Sequence, residues 1–246
     1  MTAELIITVF IICFAFSIMA LIGFGSGLIS IPLLALFMPP TQAITLILLF
    51  QFLNGVIMLG FNYKKVNWGV LKKVAFGTIL GNIIGVLFLT TANEDFVRLS
   101  IGLLILVYVI RNHYAPDLGK ELTKNLPATS VGLTGGLVQG LFGMGGPIYV
   151  IFYNEVLKSH FNIRATVMIT LLISNIIRII GSGTGELLSA EIIEYAIWAL
   201  PFFLLSIIIG QKLHHKVNRD LFRRGTAALL TISAISLIGK VILNHF

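Results

Sequence analysis

The chain has 246 residues, of which 57% are apolar and only 11% are charged, and its mean hydropathy is +0.99. An ordinary soluble domain has roughly 25% charged residues, so this chain could not cover a soluble surface, and it is far too apolar to be disordered. The composition excludes a cytosolic enzyme and indicates a polytopic membrane protein. At about 20 apolar residues per span, the chain has room for eight or so transmembrane helices.

The net charge of +7 would suggest a nucleic-acid partner in a soluble protein. In a membrane protein, the distribution of the charges among the loops indicates the orientation of the chain instead. Fourteen of the 17 lysines and arginines lie in four loops, and the opposite loops carry acidic residues. Basic loops of membrane proteins face the cytoplasm. We therefore predict no nucleic-acid partner, a location in the cytoplasmic (inner) membrane, and both termini outside. The loop cations are Lys64, Lys65, Lys72, Lys73, Arg111, Lys120, Lys124, Lys158, Arg164, Lys212, Lys216, Arg219, Arg223 and Arg224.

Ten apolar runs follow one another along the chain, and two of them are short. The runs 27–38 and 147–157 each cover about half of a 30 Å hydrocarbon core, and each follows a glycine-rich turn. They are predicted as broken-helix or re-entrant elements. The predicted fold class is an all-α polytopic membrane protein with about eight principal helices and two such hairpins. The ten runs are 5–22, 27–38, 42–61, 70–90, 97–110, 127–142, 147–157, 164–182, 192–211 and 225–243.

The two halves of the chain resemble each other. Segment 21–26 matches segment 141–146, and Asn54 falls opposite Asn175 after a small drift in register. Each half contains a glycine-broken hairpin followed by three full helices. The predicted division is a first repeat at 1–112, a cytoplasmic linker at 113–125 and a second repeat at 126–246.

The loop charges give the two repeats opposite orientations. Helix 42–61 runs from outside to inside, whereas its partner 164–182 runs from inside to outside. The halves therefore form an inverted-topology repeat. This architecture is typical of secondary transporters, in which substrate binds near the midplane at discontinuous helices.

The two glycine turns are the first candidates for a binding site. Backbone without helical pairing is tolerated at membrane depth only where it is buried in protein or lines a wet cavity. A half-helix after such a turn directs N–H groups and its positive dipole end inward, so two of them meeting near the midplane would form an anion site. Alternatively, the glycines only permit tight packing. The candidate residues are Gly23, Gly25, Ser26, Gly27, Gly143, Gly145, Gly146 and Pro147.

Polar side chains inside the apolar runs complete the predicted site, because each is costly in lipid unless it faces the interior or a cavity. Gln139 lies one turn before the second glycine turn, and Gln51 lies one turn from Asn54. Asn54 and Asn175 are predicted to flank the site, and the alternative is hydrogen bonding between helices. The polar residues in the runs are Gln51, Asn54, Asn82, Gln139, Asn175 and Arg178, of which all but Asn82 are assigned to the site.

Arg178 lies about 14 residues, or roughly 21 Å, from the predicted cytoplasmic end of its helix. At that depth it is placed to attract or bind an anion. Equally, it could snorkel outward or pair with Glu186.

Other motifs are read as structural. Glycines at intervals of four in two helices predict close helix packing. Tyr149 and Tyr153 are assigned to core packing, with the alternative that one of them faces the site. The single cysteine, Cys13, allows no disulfide framework. All five histidines lie in loops or at the C-terminus, so we predict no catalytic residue, no metal site and no cofactor. The glycines are Gly77, Gly81, Gly85, Gly132, Gly136 and Gly140.

The segments LIGFGSGLISIPLL at 21–34 and GLTGGLVQGLFGMGGPIYV at 132–150 resemble the sulfite exporter TauE/SafE family of membrane permeases, also called TSUP. The resemblance covers nearly the whole chain. It implies an inner-membrane permease for small anions, often sulfur-containing ones such as sulfite, thiosulfate or an organosulfonate. It also places the residues of both glycine turns in the family motifs, although many members carry a glycine where Ser26 stands.

The sequence thus predicts a secondary transporter that moves a small, sulfur-containing anion by alternating access. A passive anion channel and a non-transporting membrane subunit are the alternatives. The predicted partners are the anion and the lipid bilayer, with room for a coupling ion. The oligomeric state is left open.

Overall fold

The computed structural model describes residues 3–114, 126–181, 189–213 and 219–245, and within these ranges it contains helices and no strand. The all-α prediction is therefore confirmed, and each apolar run is found in a helix. A short 3-10 helix, Tyr63–Lys65, joins the third and fourth α-helices. The α-helices are α1 (Ala3–Ile22), α2 (Ser26–Leu34), α3 (Pro40–Asn62), α4 (Trp68–Thr91), α5 (Glu94–Tyr114), α6 (Ala128–Phe142), α7 (Gly146–Val156), α8 (His160–Gly181), α9 (Ala190–Leu213) and α10 (Arg219–His245).

Seven of the described helices are long and apolar enough to cross a membrane: α1, α3, α4, α5, α8, α9 and α10. Their outer surfaces carry large apolar side chains such as Phe76 and Leu87 of α4, which are 63% and 62% exposed, as expected for contact with lipid. The helices α2, α6 and α7 have 9, 15 and 11 residues. The two short runs, 27–38 and 147–157, are thus the short helices α2 and α7. The run 127–142, predicted as a principal helix, is α6 and is not among the seven candidate spans, so the total of eight principal spans stays a prediction.

Side-chain caps fix the starts of three helices. The Asn67 side chain accepts a hydrogen bond from the first turn of α4, and Asn93 and Ser189 do the same for α5 and α9, at 2.7 to 3.3 Å. Such a cap contributes about 1 kcal/mol to helix stability. These residues therefore determine where each helix enters the membrane-spanning region.

A left-handed glycine ends α1 and α6. The N–H of Gly23 donates to the Met19 carbonyl at 2.7 Å, and the N–H of Gly143 donates to the Gln139 carbonyl at 2.8 Å. The φ angles of these glycines are 97° and 69°, a conformation that side chains with a Cβ rarely adopt. The two helices therefore end in the same way at corresponding positions of the predicted repeat.

The chain divides into two compact units, 1–47, 92–116 and 188–246 on the one hand and 48–91 and 117–187 on the other. The first unit contains α1, α2, the start of α3, α5, α9 and α10. The second unit contains the rest of α3, then α4, α6, α7 and α8. Each unit combines segments from both predicted repeats, so the units are not the repeats, and the division at 113–125 stays a prediction. Residues 115–125 lie outside the described ranges.

The first unit is built around the packing of α1 against α9. The Phe16 and Phe203 rings meet edge to face with their centroids 4.9 Å apart. The helix α2 is buried along nearly its whole length. The Lys240 ammonium of α10 donates to the Leu36 carbonyl at 2.8 Å, which ties α10 to the end of α2.

Interlocking glycines hold α4 against α6 in the second unit. A Cβ added at Gly81 would collide with the Leu133 carbonyl of α6, and one added at Gly136 would collide with the Thr78 carbonyl of α4. The same holds for the other four glycines of the two stripes. The predicted close packing is confirmed, and it places the polar side chains of α4 directly beside α6.

Replacing Gly136 with alanine is expected to destabilise the protein by about 2 kcal/mol, because the new methyl group meets backbone that cannot move aside. The measurement is thermal unfolding in detergent. Gly60→Ala is the control, since nothing lies within 4 Å of a Cβ at Gly60, and it should be neutral or mildly stabilising. Equal melting temperatures for the two variants would contradict the packing described here.

Candidate functional site

A buried polar network lies at the turn between α6 and α7, within the second unit. It joins Gln51 of α3, Gln139 of α6, and Asn175 and Arg178 of α8. Their exposed fractions are 7%, 1%, 1% and 2%. Four residues that the sequence assigned to one site are therefore brought together, although they come from three different helices.

Two glutamine side chains hold the glycine turn. The Gln51 Nε2 group donates to the Gly143 carbonyl at 3.1 Å, and the Gly145 N–H donates to Gln139 Oε1 at 2.7 Å. Backbone groups that the break in the helix would leave unpaired are thereby satisfied. The prediction that Gln139 reaches the turn is confirmed, and the Gly145 N–H is already occupied in this structure.

The remaining hydrogen bonds connect the side chains to one another. Gln139 Nε2 donates to Asn175 Oδ1 at 3.1 Å and to Gln51 Oε1 at 3.4 Å. The Arg178 guanidinium donates to the same two oxygens, at 3.5 Å and 3.3 Å. Since each oxygen accepts from two donors, the amide orientations are fixed by the network. The result is a cluster rich in N–H donors, several of them in long and weak hydrogen bonds.

The burial of Arg178 excludes one of the alternatives for this residue, namely that its side chain snorkels outward. Its side chain is enclosed within the second unit and bonds to α3 and to its own helix, so it does not snorkel along the outside of α8. Glu186, its other proposed partner, lies outside the described residues. A guanidinium at this depth is costly and marks a candidate functional site by default.

Asn54 lies one helical turn beyond Gln51 and is also buried, with 3% of its surface exposed. Its Nδ2 group has no hydrogen-bond partner among the described residues. A buried donor without a partner costs about 1–3 kcal/mol. Asn54 therefore offers a donor that is not yet used, while Asn175 is already engaged in the network.

Glycine is needed at the two turns for different reasons. At Gly145 the φ angle is an ordinary −68°, but an added Cβ would press against the Gly135 carbonyl and the Gln139 side chain. At Gly25 there is open space around a Cβ, but φ is +97°. Gly145 is thus required for close packing, whereas Gly25 is required for its backbone conformation.

The rest of the predicted turn residues are placed as follows. Gly146 and Pro147 begin α7, and the proline occupies the first turn of the helix, as predicted, where its missing N–H costs nothing. Ser26 and Gly27 begin α2 in the first unit and are buried there. The Ser26 carbonyl accepts a bond from the Ser30 hydroxyl at 2.6 Å. That the two turns meet in one site stays a prediction.

A second buried polar cluster lies between α4, α7 and α8, and the sequence did not predict it. Asn82 Nδ2 donates to the Thr78 carbonyl and to Ser174 Oγ, both at 3.0 Å, and the Tyr149 hydroxyl donates to Thr78 Oγ1 at 3.2 Å. All four residues are 0% exposed. Asn82 could have been singled out as a polar residue in an apolar run. Nothing in the sequence pattern distinguished the three hydroxyl side chains.

No group of three or more histidine, cysteine or acidic side chains that could hold a metal ion occurs among the described residues. The polar groups of the two clusters are amides, hydroxyls and one guanidinium. Such groups can bind and orient a ligand by hydrogen bonds.

The comparisons with known proteins agree with this chemistry. The model of the sulfite exporter TauE/SafE family matches residues 8–237. The chain belongs to this family. It is therefore a multi-pass membrane transporter and not an enzyme, and the family resemblance of the two glycine segments is confirmed.

Two curated relatives are similar to the TauE/SafE chain over most of their lengths. The probable inner membrane transporter protein TsaS of Comamonas testosteroni is 25% identical over 182 residues, which are 72% of this chain and 75% of the relative. The probable sulfite/organosulfonate exporter TauE of Cupriavidus necator is 23% identical over 227 residues, 87% and 88% of the two chains. No solved structure gives a significant match.

Proposed function

We propose that the protein transports a small, sulfur-containing anion such as sulfite, thiosulfate or an organosulfonate across the cytoplasmic membrane by alternating access. The family and the names of the two relatives support this substrate class and the inner-membrane location. The network at the second glycine turn supplies part of the binding site. Both termini face outside in this proposal, because the four basic loops then face the cytoplasm.

The observation that carries the proposal is the donor-rich character of the buried network. The oxygens of sulfite and sulfonates accept hydrogen bonds, and they are held in proteins by N–H groups from guanidinium, amides and helix starts. Arg178, Gln139 and Gln51 bring such donors to the start of α7. The hydrogen bonds from Arg178 are 3.3 and 3.5 Å long, so exchanging them for substrate oxygens costs little.

A purely structural network is the competing explanation, since amides between membrane helices contribute roughly 0.6–2 kcal/mol each. The unpartnered Nδ2 group of Asn54 favours a binding role. A network evolved only for stability would pair this group, whereas a substrate oxygen would pair it only when bound.

The helix packing supports the inverted repeat on which alternating access depends. In the first unit α1 packs along α9 and leads into α2, and in the second unit α6 packs along α4 and leads into α7. In the predicted repeat, α1 corresponds to α6, α2 corresponds to α7 and α4 corresponds to α9. The two units therefore share a pattern of contacts among three helices, two from one predicted half and the third from the other, as an inverted repeat would produce.

Thermal unfolding of the purified protein with candidate anions tests the substrate class. A ligand at 100 times its Kd stabilises the folded state by about 2.7 kcal/mol. Sulfite, thiosulfate or sulfoacetate is expected to raise the melting temperature above that in acetate or sulfate at equal ionic strength. If none of the three does so, the proposed substrate class is wrong.

Replacing Asn54 with leucine is expected to weaken anion binding about tenfold, because one hydrogen bond to the bound anion, worth about 1.5 kcal/mol, is lost. The thermal stability without ligand should stay equal or increase, since an unpaired buried donor is removed. The measurement is the anion concentration that gives half of the maximal stabilisation. Unchanged anion affinity would show that the Asn54 amide does not face the substrate.

A further inference from the structure

The second polar cluster, formed by Thr78, Asn82, Tyr149 and Ser174, has the opposite chemical character from the network at the glycine turn. The Asn82 amide nitrogen is fully used by the Thr78 carbonyl and Ser174 Oγ. Its Oδ1 atom has no hydrogen-bond partner among the described residues. The amide cannot be turned around, because its oxygen would then face the Thr78 carbonyl. The unused atom of this cluster is therefore an acceptor.

The hydroxyl groups of the cluster add further oxygens with free lone pairs. Tyr149 donates its proton to Thr78 Oγ1, and the Tyr149 oxygen keeps its lone pairs. Each hydroxyl oxygen carries two of them. Three helices thus bring four oxygen-bearing side chains into one hydrogen-bonded cluster, and all four residues are 0% exposed.

We propose that this cluster is a binding site for Na⁺, the coupling ion of the transporter. Oxygens of amides, hydroxyls and carbonyls are the ligands of hard cations, and a divalent ion would call for carboxylates. None of the four residues is acidic, so a neutral set of this kind suits a monovalent ion. The unpartnered Asn82 oxygen is an acceptor that such an ion would bind.

The location explains how the ion is coupled to the anion. Ser174 belongs to the oxygen cluster and its neighbour Asn175 belongs to the donor-rich network, so the two sites share α8. A cation held at the first site attracts an anion at the second. Coupling of this kind is reciprocal, so Na⁺ raises anion affinity by the same factor by which the anion raises Na⁺ affinity. This role as a coupling site rests on the proposed anion transport, but the ion site itself does not.

The decisive variants are Tyr149→Phe and Tyr153→Phe. Both tyrosines belong to α7, both are 0% exposed, and each loses one buried hydroxyl hydrogen bond, to Thr78 and to Thr170 respectively. Only the first substitution removes an oxygen from the proposed site. Asn82→Leu is a second variant, which removes the unpaired oxygen.

The experiment is thermal unfolding of the purified full-length protein in NaCl, KCl and choline chloride at equal ionic strength. The wild type and Tyr153→Phe are expected to be stabilised by Na⁺, with a half-maximal concentration about tenfold lower than in Tyr149→Phe, and Asn82→Leu is expected to show no stabilisation. No Na⁺-specific stabilisation of the wild type, or the same stabilisation in all four proteins, would overturn the proposal. The Asn82 oxygen would then hold buried water only.

Anion exchange in proteoliposomes, in Na⁺ or choline medium, separates this proposal from the proposed function. Exchange at least tenfold faster in Na⁺ for the wild type supports coupling. Equal exchange in both media overturns coupling and leaves anion transport standing. Stabilisation by Na⁺ in a protein that exchanges no anion would keep the ion site and reject the transport function.

Discussion

Arg178→Met is expected to lower anion uptake at least about 100-fold, because it removes the guanidinium that supplies the strongest donors of the network. Charge-assisted hydrogen bonds contribute about 1.5–3 kcal/mol each, and about 2.8 kcal/mol corresponds to a factor of 100. The oxygens of Gln51 and Asn175 each keep the hydrogen bond from Gln139, so neither of these two acceptors is left without a donor. The variant should therefore insert and fold.

The measurement is uptake of a radiolabelled anion into proteoliposomes that contain equal amounts of each purified protein. Lys73→Met is the matched control, because it makes the same change in net charge at an exposed position of α4 in the same unit. It should transport like the wild type. Uptake by Arg178→Met within twofold of the wild type would show that the guanidinium has only a structural role.

Gly145→Val is expected to abolish transport. The added carbons would press against the Gly135 carbonyl and the Gln139 side chain, which would move the start of α7 and break the hydrogen bond from the Gly145 N–H to Gln139. Overpacking of this kind costs about 1–3 kcal/mol. The glycines that interlock α4 with α6 are not among these contacts, so membrane insertion should persist.

Gly25→Val should also abolish transport, by way of the backbone instead of packing. A β-branched residue at a φ of +97° is strongly disfavoured, so the turn before α2 would change shape. The alanine variants Gly25→Ala and Gly145→Ala are compared with the valine variants, to separate the effect of backbone conformation from the effect of packing. Two quantities are measured for each variant: anion uptake, and membrane insertion as given by the yield of monodisperse protein. Normal uptake in both valine variants would contradict a role for the turns in transport.

The sequence predicted the local features well. Hydropathy alone located all of the described helices, since a long apolar run that crosses a membrane must satisfy its backbone hydrogen bonds internally, and a helix does so within the run itself. The glycine turn and the reach of Gln139 to it followed from spacing within one helix, because residues four apart share a face. The close packing of the two glycine stripes followed from their spacing as well.

Contacts between distant segments could not be predicted in this way. That Gln51 binds the Gly143 carbonyl, or that Tyr149 reaches Thr78, depends on how separate helices pack, and no periodicity encodes it. The occupied N–H of Gly145 is a further example, since the sequence suggested a turn with N–H groups open to an anion. The compact units escaped prediction for the same reason, because each is assembled from both halves of the chain.

Counterflow tests the central claim most directly. Purified protein in liposomes loaded with unlabelled sulfite should accumulate external radiolabelled sulfite transiently above its equilibrium level, with saturation at high concentration, because a carrier by alternating access exchanges one anion for another. The predicted result is such an overshoot in the wild type and its loss in Arg178→Met. Entry that never exceeds equilibrium and rises linearly with concentration, or no entry at all, would contradict the account.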